Sequence, residues 1–323
     1  MATGKPTPLF RVVMFAVVIG LIGLGVWRFT GSPNPLASGD AIDREDLEAA
    51  GGMMAEAPDG QAATTVAEYT FVAGERLPEV RGASAYKPMQ DNTIVMALNV
   101  WAGWAPLIEA NNGFEAGREW TAPGGKKFKV RLVLIDDPVA MRDAYVAGDV
   151  HIGWATLDML PLMMEGLRRD SRTMPRVPMQ IDFSNGGDGI VCRENVGSMS
   201  DLAGKTLVLA QNSPSHFFAL NALVNAGLQP GDVQWRFTQD AFQAAAAFNA
   251  DRRLDCVVSW APDIYNLSEA RGNRMMVTTE TANKLIADVF FVRADFMKDH
   301  GDLIEGLVRG ILDATGRLQS QEA

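Results

Sequence analysis

Short apolar runs alternate with helix-period segments twice along this chain, and that alternation restricts it to α/β architectures. IVMALNV at 94–100 and FKVRLVLI at 128–135 read as strands. Asp137-Pro138 then supplies an N-cap carboxylate and a proline at the first helical position, where no backbone N–H is needed. A helix is therefore predicted through Ala147, stopped by Gly148. VHIGWA at 150–155 makes a third strand, and 157–167 is again helical by spacing. After SNGGD at 184–188 the pattern restarts, with strands at 189–193, 205–210, 233–237, 254–259, 275–279 and 288–293. Helices fall at 200–203, from Ser213 or Ser215 to Val224, and at 241–249. Leu303, Leu307, Val308, Ile311 and Leu312 share one face of a last helix. VHIGWAT at 150 and LDCVVSW at 254 each close a unit on a tryptophan-bearing turn. The expectation is two lobes of similar build with a cleft between them.

A chain of 323 residues, 47% apolar and 21% charged, can bury a sizeable core. Its 29 Lys and Arg against 39 Asp and Glu leave a net charge of −10. That argues against a nucleic-acid partner, because phosphate contacts need a basic surface. Two cysteines, Cys192 and Cys256, and three scattered histidines, His151, His216 and His300, suit neither a disulfide-stapled nor a zinc-centred fold. No metal and no cofactor is expected.

Residues 12–27, VVMFAVVIGLIGLGVW, carry no charge. Extended to 9–29, with Arg11 and Arg28 snorkelling, the segment makes roughly 31 Å of helix at about 1.5 Å per residue, enough to span a bilayer. Lys5 and Arg11 precede its apolar centre, and few cations follow, which favours an N-terminus inside and the bulk of the chain outside. A single-pass inner-membrane anchor with a periplasmic body is expected. The alternative is a cleaved signal peptide, cut near Ser38, and a soluble periplasmic product. Residues 30–90 are expected to form a flexible linker, since 40–61 is rich in Ala, Gly, Asp and Glu and has no aromatic residue. Within it TTVAEYTFV at 64–72 can form one short strand.

Asp201-Leu-Ala-Gly-Lys205, the strand after it, a Ser-led helix ending Asn225-Ala-Gly227-Leu228, and Asp232-Val233 resemble the second lobe of periplasmic solute-binding proteins. Trp260-Ala-Pro262 follows the strand at 254–259. Trp101-Ala-Gly-Trp104-Ala-Pro106 and Ala147-Gly148-Asp149-Val150-His151-Ile152 are its counterparts in the first lobe. Together they are similar to the nitrate/sulfonate/taurine (thiamine-precursor-like) branch of ABC-transporter binding proteins, over residues 92–313. The resemblance implies a type II-like two-lobe α/β fold behind one transmembrane helix and a disordered tether. Lobe 1 would comprise 91–187 plus 286–323, and lobe 2 would comprise 188–285. It further implies a binding protein without catalysis, which holds a small anionic organic solute between the lobes and delivers it to an ABC permease and its ATPase. Two alternatives stand beside it: a sensor or envelope-scaffold protein on the same fold, and a thiamine-pyrimidine biosynthesis enzyme, whose cysteine-rich motif is absent here. The family commonly has an acidic residue where His151 stands, and adds helices after the return to the first lobe.

Open α/β sheets bind ligands beyond the carboxyl ends of their strands, where loops and helix starts converge. That rule nominates Trp101, Trp104, Asp136, Trp154, Thr156, Gln211, Asn212, Ser213, Ser215, Ser259, Trp260 and Asp263 as ligand-binding residues. Gln211-Asn-Ser-Pro-Ser215 offers hydroxyls, backbone N–H groups and the positive end of a helix, an arrangement for an anion; the same residue types also make a plain N-cap. Asp136 and Asp263 suit an amine instead. Trp104 and Trp260 are expected to face each other across the cleft as flat contact surfaces. Ser184, Asn185, Gly186, Gly187 and Asp188 lie between the lobes and read as a hinge. Met159, Met163 and Met164 have helical spacing and read as core.

Overall fold

The computed structural model describes residues 64–80, 82–282 and 284–321. The chain divides into two units, Met1–Ala57 and Pro58–Ala323, and every described residue belongs to the second. The apolar run at 9–29 lies outside the described residues. Among those described, no helix is long and apolar enough to cross a membrane.

In chain order the elements are β1 (Phe71–Val72), β2 (Thr93–Leu98), α1 (Ala105–Asn111), β3 (Glu119–Thr121), β4 (Lys127–Leu134), α2 (Pro138–Ala147), β5 (Ile152–Thr156), α3 (Met159–Leu167) and β6 (Pro175–Phe183). Then follow β7 (Asp188–Arg193), β8 (Thr206–Ala210), α4 (Pro214–Asn225), β9 (Gln234–Thr238), α5 (Ala241–Ala250), β10 (Cys256–Trp260), α6 (Asp263–Glu269), β11 (Asn273–Thr278), β12 (Ala287–Arg293) and α7 (Ala294–Gln321). Lobe 1 is built on a sheet of order β3-β4-β2-β5-β12-β6, lobe 2 on a sheet of order β1-β9-β8-β10-β7-β11. Parallel pairing holds β2 to β4 and β5, and β8 to β9 and β10. Strands β5, β10 and β12 are buried along their whole length, so their sequences are mostly apolar rather than alternating, with Asp288 and Arg293 the charged exceptions in β12.

Local signals act as physical chemistry requires. The Asp137 carboxylate accepts from the N–H groups of Val139 (2.8 Å) and Ala140 (3.2 Å), Pro138 opens α2, and Gly148 ends it at φ +78°. Met159 and Met163 of α3 are in the lobe 1 core. In α7 the buried stripe is Leu303, Ile304, Leu307, Ile311 and Ala314, whereas Leu312 is exposed, one position off the expected face. Strand β6 has no counterpart in the sequence reading. It contains Pro175 and Pro178 and lies at the sheet edge, where missing N–H donors are tolerated.

Two expectations are corrected. The linker set at 30–90 is ordered from Thr64 on, because buried cations and rings catch its carbonyls and apolar side chains. Fully buried Arg293 donates to Ser84 O (2.6 Å), Arg142 donates to Pro78 O (2.6 Å), and His151 donates through Nε2 to Lys87 O (2.8 Å) while its Nδ1 accepts from Val95 N–H. His151 is thereby a neutral structural clamp, its pKa lowered by burial. Secondly, Cys192 and Cys256 form a disulfide. They lie directly opposite one another on antiparallel β7 and β10, a register that a count of cysteines does not reveal.

Candidate functional site

The carboxyl ends of β8, β9 and β10 lead into the starts of α4, α5 and α6, and this edge of lobe 2 meets the carboxyl ends of β2 and β4 in lobe 1. The meeting point is a small apolar cluster. Val100 and Trp101 come from lobe 1, Ala241, Phe242 and Trp260 from lobe 2, and Val66 from the segment before β1. Phe242 meets Trp260 edge to face, with ring centroids 5.4 Å apart. Carboxylates ring the cluster. Asp136 accepts from Val100 N–H (2.7 Å), Asp240 caps α5 through Gln243 N–H (2.8 Å), and Asp263 opens α6. Burial raises the pKa of Asp136 and of Asp263, and the Asp240 charge pushes both the same way. One hydrogen bond joins the lobes here directly, from Gln239 Nε2 to Asp137 Oδ2 (2.8 Å).

The nominated residues divide into groups. Trp101 and Trp260 are both in the interlobe cluster, and Trp260 Nε1 is buried without a partner. Trp104 corrects the expected pair: it is 0% exposed in the lobe 1 core, with Nε1 donating to Asn99 Oδ1 (2.8 Å). The turn after β2 closes within three residues, so Trp101 is left at the cleft while Trp104 is turned inward. Trp154 is likewise core, donating to Ile135 O (2.8 Å). Thr156 is buried with no partner for Oγ1. Ser259 is tied to Ala241 O (3.0 Å) and Gln211 accepts from Glu75 N–H (3.0 Å). Asn212 takes a left-handed φ of +58° and its N–H reaches His216 Nδ1 at 3.4 Å. Ser213 occupies the N-cap position of α4 but donates to Ala210 O (2.7 Å) instead of capping. Ser215, in the first turn of α4, is 0% exposed and its Oγ has no partner. Asp263 is also 0% exposed: Oδ1 accepts from Thr65, and Oδ2 has no partner.

The segment expected to be a hinge is one of two crossovers that run side by side. Ser184 N–H donates to Ile286 O (2.9 Å), Thr279 N–H to Asp188 O (2.9 Å), and the Ser184 and Thr279 hydroxyls meet at 2.8 Å. Gly186, at φ +81°, receives the Tyr265 hydroxyl on its carbonyl (2.7 Å). Gly187 is required by close approach, because a Cβ there would lie 2.2 Å from the Trp101 indole. Asn185 is exposed.

Sequence reasoning passed over Asp182 and Asp288 beside this crossover and read Asp188 only as part of the hinge. Asp288 faces Thr156 on one side and Asp182 on the other in the sheet register, and Asp182 accepts from Trp101 Nε1 (3.0 Å). Asp188, in the same neighbourhood, is pushed up to about 7 by burial, with Asp158 and Asp182 adding to the effect against a hydrogen bond from Ser184. Asp288 is raised further still, by burial and then by the charges of Asp182 and Asp188. The acids can lie together because protons replace some of the charges. No motif spacing links 158, 182, 188 and 288; only the two sheets do.

A two-sheet α/β molecule whose strand ends converge on an interlobe cluster has the architecture of the periplasmic binding proteins. No protein-family model matches the chain. Over 228 residues, 68% of this chain, it is 25% identical to the taurine-binding periplasmic protein of Escherichia coli (strain K12), of which it covers 65%. The aliphatic sulphonate binding protein SsuA of Escherichia coli superposes with a TM-score of 0.54 at 18% identity, covering 72% of this chain and 71% of that one. The alkanesulfonate-binding protein SsuA of Xanthomonas axonopodis pv. citri, bound to MOPS, gives 0.55 at 18% identity, over 73% and 77%. The nitrate-binding protein NrtA of Synechocystis PCC 6803 gives 0.54 at 16% identity, over 69% and 61%. The chain is thus similar to a taurine-binding periplasmic protein in sequence, of which it spans just under two thirds, and shares its fold with sulfonate- and nitrate-binding proteins.

Proposed function

We propose that this protein captures a small organic solute between its lobes and delivers it to an ABC permease and its ATPase. Its work is binding and closure rather than covalent chemistry. The observation that carries this reading is the convergence of three helix starts, α4, α5 and α6, with Trp101 and Trp260 from opposite lobes, at the interlobe edge. An anionic group of the solute is assigned to the start of α4, where no side chain caps the helix and buried Ser215 Oγ lacks a partner. Ser213, Gln211 and Asn212 border that position, and Asp136 and Asp263 lie across the cluster. Lobe 1, comprising 91–187 plus 286–323, and lobe 2, comprising 188–285, are taken to rotate about the crossover at 184–188. The periplasmic relatives support a periplasmic location, and so does the Cys192–Cys256 disulfide, because such bonds persist in oxidising compartments. Anchoring through 9–29 rests on the length and apolarity of that run.

Titration calorimetry with taurine, short alkanesulfonates and nitrate tests the binding step. Solution scattering with and without the tightest of these tests closure. Saturable binding with a smaller radius of gyration is expected, and no binding of any of them removes the reading. Retention of the full chain in the membrane fraction tests the anchor, which a mature N-terminus near Ser38 overturns.

A further inference from the structure

The segment before β1 lies where a solute would lie. Thr65 donates twice to Asp263 Oδ1, through its backbone N–H and through its hydroxyl, each at 2.7 Å. Val66 enters the apolar cluster between Val100 and Trp101 of lobe 1 and Phe242 and Trp260 of lobe 2. One residue therefore occupies an acceptor, and the next packs on the same apolar cluster as Val100 and Trp101 of lobe 1. Asp263 is fully buried, yet Oδ2 has no donor, and Trp260 Nε1 beside it is also unpartnered. A buried carboxylate with half its acceptors empty is under-satisfied, and Asp240 adds further negative charge nearby. A cation with several N–H donors satisfies such a group better than one threonine does.

The segment is held lightly. Beyond Thr65 and Val66 it makes Thr70 N–H to Gln243 Oε1 (3.1 Å), a two-residue ladder of Phe71 and Val72 on Thr238 and Phe237, Glu75 N–H to Gln211 Oε1 (3.0 Å), and an apolar contact of half-buried Tyr69 with the lobe 2 core. Thr65, Thr70, Phe71 and Val72 are exposed. A two-residue edge strand with few buried contacts opens at low cost.

We propose, on the solute-binding reading above, that Thr65 and Val66 are an intramolecular occupant of the solute cleft. They stand on Asp263 where an ammonium group of the solute would stand, so that capture of an amine-bearing solute expels the segment. Tethered occupants compete at high effective concentration, so the strap lowers the apparent affinity of the solute and makes its own release a signal of capture.

The test uses the full chain, a Thr65→Pro/Val66→Gly variant that deletes both donors and the apolar plug, and Asp263→Asn. The probes are taurine (ammonium and sulfonate), ethanesulfonate (sulfonate alone) and ethanolamine (ammonium alone). Calorimetry gives affinities, and hydrogen exchange follows the amides of residues 65–72. Expected are about tenfold or tighter taurine binding by the strap variant than by the wild type, and faster exchange at 65–72 in the wild type with taurine. Asp263→Asn should weaken taurine and ethanolamine about tenfold relative to ethanesulfonate. Equal affinities of wild type and strap variant, or exchange at 65–72 that saturating taurine leaves unchanged, overturn the occupant. Expulsion of the strap by ethanesulfonate as readily as by taurine overturns the ammonium assignment. No binding of any probe to any form removes the solute-binding reading itself, and this inference falls with it.

Discussion

Replacing Asp188 by asparagine should make the protein more stable at neutral and alkaline pH. The carboxyl is 2% exposed, and its ordinary value of 3.8 is pushed up to about 7 in the folded state. Between these values the unfolded chain has already ionised the group while the folded chain still holds the proton. Folding then binds more protons, so stability falls as pH rises through that window and levels off above it. At roughly 1.36 kcal/mol per pH unit the penalty reaches about 4 kcal/mol. An asparagine side chain has no proton to lose, keeps an acceptor for the Ser184 hydroxyl, and removes one of the charges that raise Asp288. Urea unfolding of wild type and D188N, followed by circular dichroism at half-unit steps of pH, gives the difference directly. Near the lower value the two proteins should be almost equal. Near pH 8 the variant should be more stable by about 2–4 kcal/mol. Parallel stability curves across the whole range would refute the argument, because they would mean that Asp188 is ionised at no cost.

Three further outcomes are expected. Trp260→Ala should cost on the order of 2 kcal/mol of solute affinity in titration calorimetry, as a central aromatic anchor, whereas Trp104→Ala should instead cost about 3–5 kcal/mol of unfolding free energy as a core cavity; full affinity in a folded W260A protein removes Trp260 from the site. Replacing Cys192 and Cys256 together by serine, or reducing the bond, should lower stability by about 4 kcal/mol for a crosslink spanning 64 residues, measured by thermal or chemical unfolding. Gly103→Ala should separate Trp101 from Asp182, since the new Cβ would fall 1.8 Å from Asp182 Oδ2, and a changed Trp fluorescence with lower thermal stability checks it.

What could be read in advance was what local chemistry decides. Asp137, Pro138 and Gly148 delimit α2 because an N-cap carboxylate, a ring-fixed φ and a left-handed stop act within a few residues. The apolar centres of β5, β10 and β12 were legible because strands buried on both sides are predominantly apolar. Choosing between Trp101 and Trp104 was not possible that way. Both stand at the end of β2, and a short turn three residues long decides which indole reaches the cleft and which the core. The acids at 182, 188 and 288 were equally opaque, since their proximity is set by register between β5, β12 and β6 and by the second crossover. Thr65 and Val66 sit in the stretch 64–72 that could be singled out from the linker as a short strand, but nothing local shows which distant partners it docks on.

The place of β12 in the sheet bears on how the chain is made. It lies between β5 and the edge strand β6 of the lobe 1 sheet, yet it leaves the ribosome after every strand of lobe 2. Lobe 2 has all of its strands, β1 included, once Thr278 has emerged. Lobe 1, although begun first, then still has β5 and β6 with their inner edges unpaired. During synthesis the nascent chain therefore carries one lobe that can close and one whose edge strand β6 is cut off from the other four, with two strand edges open to other chains. A strand translated after all of lobe 2 is the wedge that joins β6 to the rest of lobe 1, and a chain stopped short of Ala287 would complete the younger lobe and leave the older one unfinished.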